Sequence, residues 1–256
     1  MTERTATNTT AFGADDRSVS EVLGYIIIFG LVITSVGIVL VSGTGSLEDV
    51  RDFEQASNAE RAFDVVGDNM AAIYERNAPS RSTEIDLGDS EIYYGDPITI
   101  NVTVNGEEFV RDIRPVVLRV GDGTSLVYEG GAMFREERDD GVVLRGAPFL
   151  FTEDRVHAPI IQTTAPAVES AGSTTILLRG KSTDRSVLHS ETTFSETVNV
   201  TVESPRYELW AEYFIDETGF DEGDCEVRDD EEAVECTIDP DLVYVTQQRI
   251  EVSLIL

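Results

Sequence analysis

VLGYIIIFGLVITSVGIVLV, residues 22–41, is the stretch that decides the architecture of this chain. Its twenty residues include no charged side chain. As an α-helix they would extend about 30 Å, which matches the hydrocarbon core of a bilayer. The stretch is longer than the apolar part of an ordinary secretory signal, and no convincing small-x-small cleavage site follows it. We therefore predict a membrane-spanning helix at this position.

The composition of the whole chain is strongly acidic. There are 49 acidic and 19 basic residues, a net charge of -30, and Lys181 is the single lysine. A hydrated coat of carboxylates with almost no lysine keeps a protein soluble when molar salt shortens the Debye length to about 3 Å. The composition predicts a halophilic protein. An acidic secreted protein from dilute medium is the alternative, but it leaves the missing lysine unexplained.

The same composition excludes two other classes of protein. With 41% hydrophobic residues in regular alternation, the chain can bury a core and is not disordered. Nucleic acid is not an expected partner, because phosphate binding requires a basic stripe and this chain would be repelled.

The residues just before the apolar stretch read Arg17-Ser18-Val19-Ser20-Glu21. They resemble the class III signal of haloarchaeal type IV pilin-like proteins, in which a basic and a small residue precede the cut and the apolar helix follows uncut. The resemblance implies that a prepilin peptidase cleaves between Ser18 and Val19. It also implies a leader peptide over residues 1–18, a transmembrane or pilin helix over residues 19–41, and an ectodomain outside the cell.

Two features depart from the family pattern. Small residues other than serine are commoner before the cut, and Glu21 stands where the related pilins usually have proline. An acid at the edge of an apolar helix seeks a cation, so Glu21 could pair with the terminal amine of a neighbouring subunit during assembly. Its location among the interfacial headgroups is the alternative.

The segments after the membrane span have their own patterns. Residues 42–46, Ser-Gly-Thr-Gly-Ser, are typical of a hinge. Residues 47–78 carry apolar side chains at three-, four- or six-residue intervals, which predicts an amphipathic helix that ends before Pro79. This helix would pack on its own domain, on helices of neighbouring subunits, or on both. Its apolar stripe consists of Leu47, Val50, Phe53, Ala59, Phe63, Val66, Met70 and Ile73.

Residues 84–256 change to a period of two, with turn residues between short runs of Val, Ile, Thr and Tyr. Strands are expected at residues 98–104, 116–120, 126–128, 175–179, 192–202, 208–215 and 250–256. The pattern predicts an antiparallel, sandwich-like extracellular domain and an α+β fold overall. The block LVYEGGAMFR, residues 126–135, resembles a recurring block of uncharacterised haloarchaeal pilin-like proteins, and this resemblance implies no activity.

Two covalent modifications are predicted in this domain. Cys225 and Cys236 flank four acids at residues 229–232. If the acids form a hairpin turn, the cysteines lie opposite one another at a Cα separation of about 4.5 to 5.5 Å, and an extracellular disulfide is favoured over two thiols. Asn101 and Asn199 each begin an Asn-x-Thr sequon and are candidate N-glycosylation sites. Natural alternation of Asn and Thr on an exposed strand is the alternative.

No enzymatic site, cofactor or metal site is predicted. Gly180-Lys181-Ser182 lacks the earlier glycine of a phosphate-binding loop. Asp154 and His157 have no activated nucleophile beside them. An acidic loop is interpreted as a solvated surface, with calcium binding as the alternative. That loop contains Asp216, Glu217, Asp221, Glu222 and Asp224.

These observations lead to a structural function for the chain. We expect a pilin-like, minor subunit of an archaeal type IV pilus or a related surface filament, with a role in adhesion. Its expected partners are the membrane, the prepilin peptidase and other pilin-like subunits, with no small-molecule substrate evident. The alternative is a membrane-anchored cell-surface binding protein that does not polymerise.

Overall fold

A computed structural model describes residues 15–121, 123–138, 140–152, 154–165, 170–172, 175–193, 196–218 and 220–255. Side chains are described over residues 22–40 and, apart from a few positions, from Glu54 onward. The chain divides into two compact units, Met1–Phe53 and Glu54–Leu256.

A long helix, α1, comprises Asp15–Tyr74 and includes the predicted membrane segment. The backbone is helical through residues 42–46, where the sequence predicted a hinge. Glycine inside a helix costs only about 1 kcal/mol relative to alanine, so Gly43 and Gly45 do not suffice to interrupt the hydrogen-bonded ladder.

The helix ends at Tyr74 instead of at the predicted residue 78. Asn77 adopts a left-handed conformation with φ of 58°, and the amide of Ala78 donates to the carbonyl of Ala72 at 3.0 Å. This combination is the usual way in which a helix is closed before a proline. The guanidinium of Arg185 also donates to the carbonyl of Tyr74. A positive charge at this place is favourable, because the C-terminus of a helix carries a partial negative charge.

The second unit is rich in β-strands. Its strands are β1 (Ser80–Asp86), β2 (Glu91–Tyr94), β3 (Ile98–Val104), β4 (Glu107–Ile113), β5 (Val116–Val120), β6 (Thr124–Glu129), β7 (Ala132–Glu137), β8 (Asp140–Arg145), β9 (Leu150–Thr152), β10 (Arg155–Thr164), β11 (Ser170–Gly172), β12 (Thr175–Glu191), β13 (Val198–Glu203), β14 (Cys225–Arg228), β15 (Ala233–Ile238) and β16 (Leu242–Ile255). A second α-helix, α2, spans Tyr207–Glu217, and short 3-10 helices span Glu222–Asp224 and Asp229–Glu231.

Over the described ranges these strands form three sheets. Sheet A has the order β1-β12-β16-β10-β9, sheet B the order β11-β2-β5-β6-β7-β8, and sheet C the order β14-β15-β13-β3-β4. Neighbouring strands are antiparallel, as predicted, except that β10 and β16 are parallel. Alternation of apolar and polar residues carries no information on strand direction, so the sequence could not predict this pair.

Two hydrophobic cores lie on opposite faces of sheet B, because consecutive residues of a strand point to opposite sides. We call them the helix core and the tryptophan core. The helix core includes Phe63, Val66, Met70, Ile73, Val116, Leu118, Tyr128, Ile176 and Val252. The tryptophan core includes Ile100, Val117, Val127, Phe134, Phe151, Val200, Trp210, Phe214 and Val245.

Sheet A contributes to both cores by burying opposite faces in its two halves. On β16, Val243 and Val245 belong to the tryptophan core, whereas Ile250 and Val252 belong to the helix core. Odd-numbered and even-numbered residues of a strand face opposite ways, so the buried face changes along β16. The same change occurs on β10 between Ile160 and Ile161.

Three buried glutamines, Gln162, Gln247 and Gln248, lie where the buried face changes. We call them the glutamine seam. The amide of Gln247 donates to Gln162 at 2.7 Å, and Gln162 donates to the carbonyl of Asp112 at 2.9 Å. Gln248 donates to the Ser182 hydroxyl at 2.9 Å. These bonds satisfy polar groups that would be costly to bury alone.

Arginines complete the hydrogen bonding of the seam. Arg111 donates to Gln247 at 2.9 Å, Arg249 to Gln162 at 3.0 Å, and Arg185 to Gln248 at 2.8 Å. Since Arg111 lies on sheet C, the seam also joins sheets A and C.

Residues 208–215 form helix α2, so the strand predicted there is wrong. In this segment Trp210, Tyr213 and Phe214 are buried, whereas Glu208 and Glu212 are exposed. Spacings of three and four residues are those of one helix face. Aromatic residues in a short apolar run made helix and strand hard to distinguish. The strand predicted at residues 192–202 begins later, as Val198–Glu203.

The packing of the turn between β6 and β7 against Pro148 can be tested at Gly131. It follows Gly130 in the turn between β6 and β7, with φ of 95°, and an added Cβ would lie 2.7 Å from Cδ of Pro148. We expect Gly131→Ala to lower the free energy of unfolding by about 3 kcal/mol, since backbone strain and overpacking combine. Thermal or denaturant unfolding of the full chain would measure the change.

Gly106→Ala is the matched control. Gly106 also has a positive φ, 78°, but nothing lies within 4 Å of an added Cβ. We expect a loss of about 1 kcal/mol from the backbone alone. Equal losses at the two positions would contradict the close approach at Gly131.

Candidate functional site

The apolar segment Val22–Leu40 is the first candidate site, because it is long and apolar enough to cross a membrane. None of it is buried against the described part of the chain. Large side chains such as Ile28 and Val39 are 65% and 70% exposed. A row of exposed aliphatic side chains of this length is unfavourable in water and suits an apolar surrounding.

Two hydroxyl side chains within this segment form hydrogen bonds inside the helix. The Thr34 hydroxyl donates to the carbonyl of Gly30 at 2.7 Å, and the Ser35 hydroxyl donates to that of Leu31 at 2.7 Å. Both bonds run four residues back along the helix, so neither hydroxyl requires water. Tyr25, near the start of the segment, stacks on Phe29 with ring centroids 6.1 Å apart.

The predicted processing and assembly residues precede this segment. Ser18, Val19 and Glu21 have a helical backbone within α1. Their side chains lie outside the described residues, so the cleavage position and the pairing of Glu21 stay predictions.

A disulfide joins Cys225 and Cys236, as predicted, and their Cα atoms are 4.0 Å apart, closer than the predicted separation. The two cysteines are direct partners in the pairing of β14 with β15. The turn between the strands is formed by residues 229–232, all exposed carboxylates. We call residues 225–236 the acidic hairpin. Arg228 directly precedes the turn, 2.7 Å from Glu235 and 3.4 Å from Glu231.

Both predicted sequons lie on the outward face of sheet C. Asn101 on β3 pairs directly with Thr201 on β13, and Asn199 pairs with Thr103. Each asparagine therefore faces the threonine of the other sequon. The side chain of Asn199 accepts a hydrogen bond from Thr237 at 3.1 Å, whereas Oδ1 of Asn101 has no partner in the described part of the chain. Glycosylation at either position stays a prediction.

The structure reveals a buried ionic cluster that the sequence did not predict. The carboxylate of Glu129 is 0% exposed. It accepts hydrogen bonds from the Ser204 hydroxyl at 2.9 Å, from Nε1 of Trp210 at 2.7 Å and from Nε of Arg206 at 2.9 Å. Burial lowers the pKa of Arg206, but the carboxylates of Glu129 and Glu136 together outweigh it and hold that pKa above its ordinary value.

The Glu129 cluster joins two parts of the fold. Glu129 ends β6 in sheet B. Ser204 and Arg206 lie between β13 of sheet C and α2, and Trp210 lies in the first turn of α2. A single Glu inside an apolar run, LVYEGGAMF, was the available signal. Its partners lie about 75 to 81 residues away along the chain, so no local pattern could identify them.

The residues considered for phosphate binding lie in a strand, and those considered for calcium binding lie at the end of α2 and after it. Gly180, Lys181 and Ser182 lie inside strand β12, where their backbone pairs with β1 and β16. In the acidic loop, the amide of Asp221 donates to the Asp224 carboxylate at 3.0 Å. Among the described residues no group of three or more His, Cys, Asp or Glu side chains is arranged to hold a metal ion.

A family model described as a family of unknown function, DUF7289, matches residues 17–253. The chain belongs to the DUF7289 family. The match begins next to the apolar segment and continues almost to the end of β16, so the helix and the β-rich unit both belong to the DUF7289 architecture. Comparisons with curated proteins and with solved structures find no match.

We predict that the Glu129 cluster is essential to the stability of this DUF7289 chain. Glu129→Gln retains the shape but leaves the Arg206 side chain, which is only 11% exposed, without its main counter-charge. We expect the free energy of unfolding to fall by about 3 kcal/mol. Denaturant unfolding of the full chain would measure the change.

Glu91→Gln is the control for this variant. Glu91 pairs with Arg119 at 3.7 Å, and both side chains are about half exposed. Exposed ion pairs contribute about 1 kcal/mol or less, so we expect little change. A Glu129→Gln variant as stable as Glu91→Gln would show that the buried cluster contributes nothing.

Proposed function

We propose that this chain is a membrane-anchored cell-surface protein, namely a pilin-like, minor subunit of an archaeal type IV pilus or a related surface filament, with a role in adhesion. The observation that carries the proposal is the exposed apolar segment Val22–Leu40 on a chain of net charge -30. The two parts of such a chain require different surroundings, namely lipid or a fibre core for the helix and water for the carboxylates.

The order of the segments supports a pilin-like route. A signal that resembles the class III type precedes an apolar helix, and a β-rich domain follows the helix. In that route the peptidase removes residues 1–18 and leaves Val19 as the new terminus. The helix is then available either to lipid or to the apolar core of a filament.

Features of the β-rich unit support a location outside the cell. The disulfide between Cys225 and Cys236 is typical of an oxidising compartment. Sequons on the outward face of sheet C would place glycans away from both cores. Exposed carboxylates of a halophilic protein would keep this surface hydrated in brine.

A second function, a surface-anchored binding protein that does not polymerise, is favoured by two features. Glu21 occupies the position at which related pilins usually have proline, and the apolar segment Val22–Leu40 suffices as an anchor on its own. The two functions differ in processing and in assembly.

The anchor is tested by placing charge in the apolar segment. We expect the unmodified chain to partition into the membrane fraction, and the double variant Ile28→Arg with Val32→Arg to lose that partitioning. Each arginine near the centre of a span costs about 2.5 to 3.5 kcal/mol on insertion. Val65→Arg, at a 47% exposed position of α1 outside the segment, is the control and should stay in the membrane fraction.

The pilin-like route is tested by the mass of the mature chain. We expect a mature N-terminus at Val19 when the chain is produced in a host with prepilin peptidase. An intact leader would favour the non-polymerising anchor.

Filament assembly is tested separately with Glu21→Gln, which should reduce assembly if the carboxylate pairs with a neighbour's terminal amine. Normal filaments from this variant would remove the pairing.

A further inference from the structure

One exposed face of sheet A differs in charge from the rest of this acidic chain. In the half of the sheet that covers the tryptophan core, Val156, Val243 and Val245 point inward. The residues that alternate with them point outward and away from that core. This outward face is represented by Leu150, Arg155, His157, Val187, Tyr244 and Thr246, and we call it the acid-free face.

The pairing register shows that these side chains share one surface. His157 pairs with both Leu150 and Tyr244, and Val187 pairs with Thr246. The rings of His157 and Tyr244 are 5.4 Å apart. Of the described residues that the register places on this outward face, none is a carboxylate. Asp154, which directly precedes Arg155, and Glu191, which pairs with inward-facing Val243, lie next to the face.

The face presents apolar side chains and positive charge to solvent. Val187 is 55% and Leu150 46% exposed, and Arg155 is also exposed. Burial lowers the pKa of His157, and the formal positive charge of the face comes from Arg155, the first residue of β10. Such a surface is unusual on a chain with 49 acidic residues.

Charge complementarity indicates what this face can contact. Two chains of net charge -30 repel one another over most of their surfaces, and least where carboxylates are missing. The acidic hairpin presents the opposite chemistry, with exposed carboxylates at residues 229–232. The disulfide restrains this hairpin, which reduces the entropy lost on docking.

The two surfaces belong to different sheets of the same unit. The acid-free face points away from the tryptophan core on sheet A, and the acidic hairpin lies at the β14 edge of sheet C. A contact between two different patches of identical chains is head-to-tail and can repeat along a filament.

We propose that the acid-free face of one chain docks the tip of the acidic hairpin of a second copy. Arg155 lies against the hairpin carboxylates, while Leu150, Val187 and Tyr244 cover the apolar part of the contact. The contact is between β-rich units, so it does not depend on whether α1 resides in lipid or in a filament.

Chemical cross-linking of full-length chains tests the contact. One population carries Val187→Cys, the other carries Glu231→Cys, and a short bis-maleimide reagent is added to the mixture. The native cysteines are joined in a disulfide and do not react. We expect a cross-linked pair that contains one chain of each kind.

Val110→Cys in place of Val187→Cys is the matched control. Val110 is 43% exposed on β4 of sheet C, and it should give no product with Glu231→Cys. Absence of the Val187→Cys product, an equal yield from the control, or a product from Val187→Cys chains alone would each overturn the proposal.

A charge exchange tests the role of Arg155. We expect Arg155→Glu in the Val187→Cys chain to lower the cross-linking yield about fivefold, the effect of losing an exposed ion pair. Asp230→Arg in the hairpin chain should restore the yield. If the yield is not restored although thermal unfolding shows that both variants are folded, the electrostatic pairing is overturned. Membrane fractionation and the N-terminal mass are independent of this result.

Discussion

The change of buried face along sheet A is the constraint on which the β-rich unit depends. Strands β10 and β16 cover the tryptophan core at one end and the helix core at the other, with opposite faces. Where the two cores meet, both faces of such a strand have to be buried. Gln162, Gln247 and Gln248 solve the problem, because an amide can be buried when both its donor and its acceptor groups are satisfied.

Long-range polar contacts then join the sheets around these cores. The glutamine seam connects sheet A to β4 of sheet C through Arg111, and the Glu129 cluster connects sheet B to the start of α2. Surface ion pairs lose strength when salt shortens the Debye length, whereas buried pairs are screened much less. Buried polar contacts therefore suit a chain whose surface is covered with carboxylates.

The described surfaces of the chain differ in chemistry. The segment Val22–Leu40 is apolar and exposed, sheet C presents its sequons outward, and no carboxylate lies among the described residues of the acid-free face of sheet A. DUF7289 membership covers the apolar segment and the β-rich unit together, so the combination belongs to the family architecture. Each of these surfaces has a chemistry that the others lack.

The sequence by itself determined the apolar helix, the β-rich character of residues 84–256, the amphipathic stripe at Phe63, Val66, Met70 and Ile73, and the disulfide between Cys225 and Cys236. Each depends on neighbouring residues or on one local hairpin. Tertiary structure alone decided that residues 208–215 are helical, that β10 and β16 are parallel, and that Glu129 meets Arg206. These outcomes depend on which distant segments share a core, and a local pattern of apolar and polar residues does not specify that pairing.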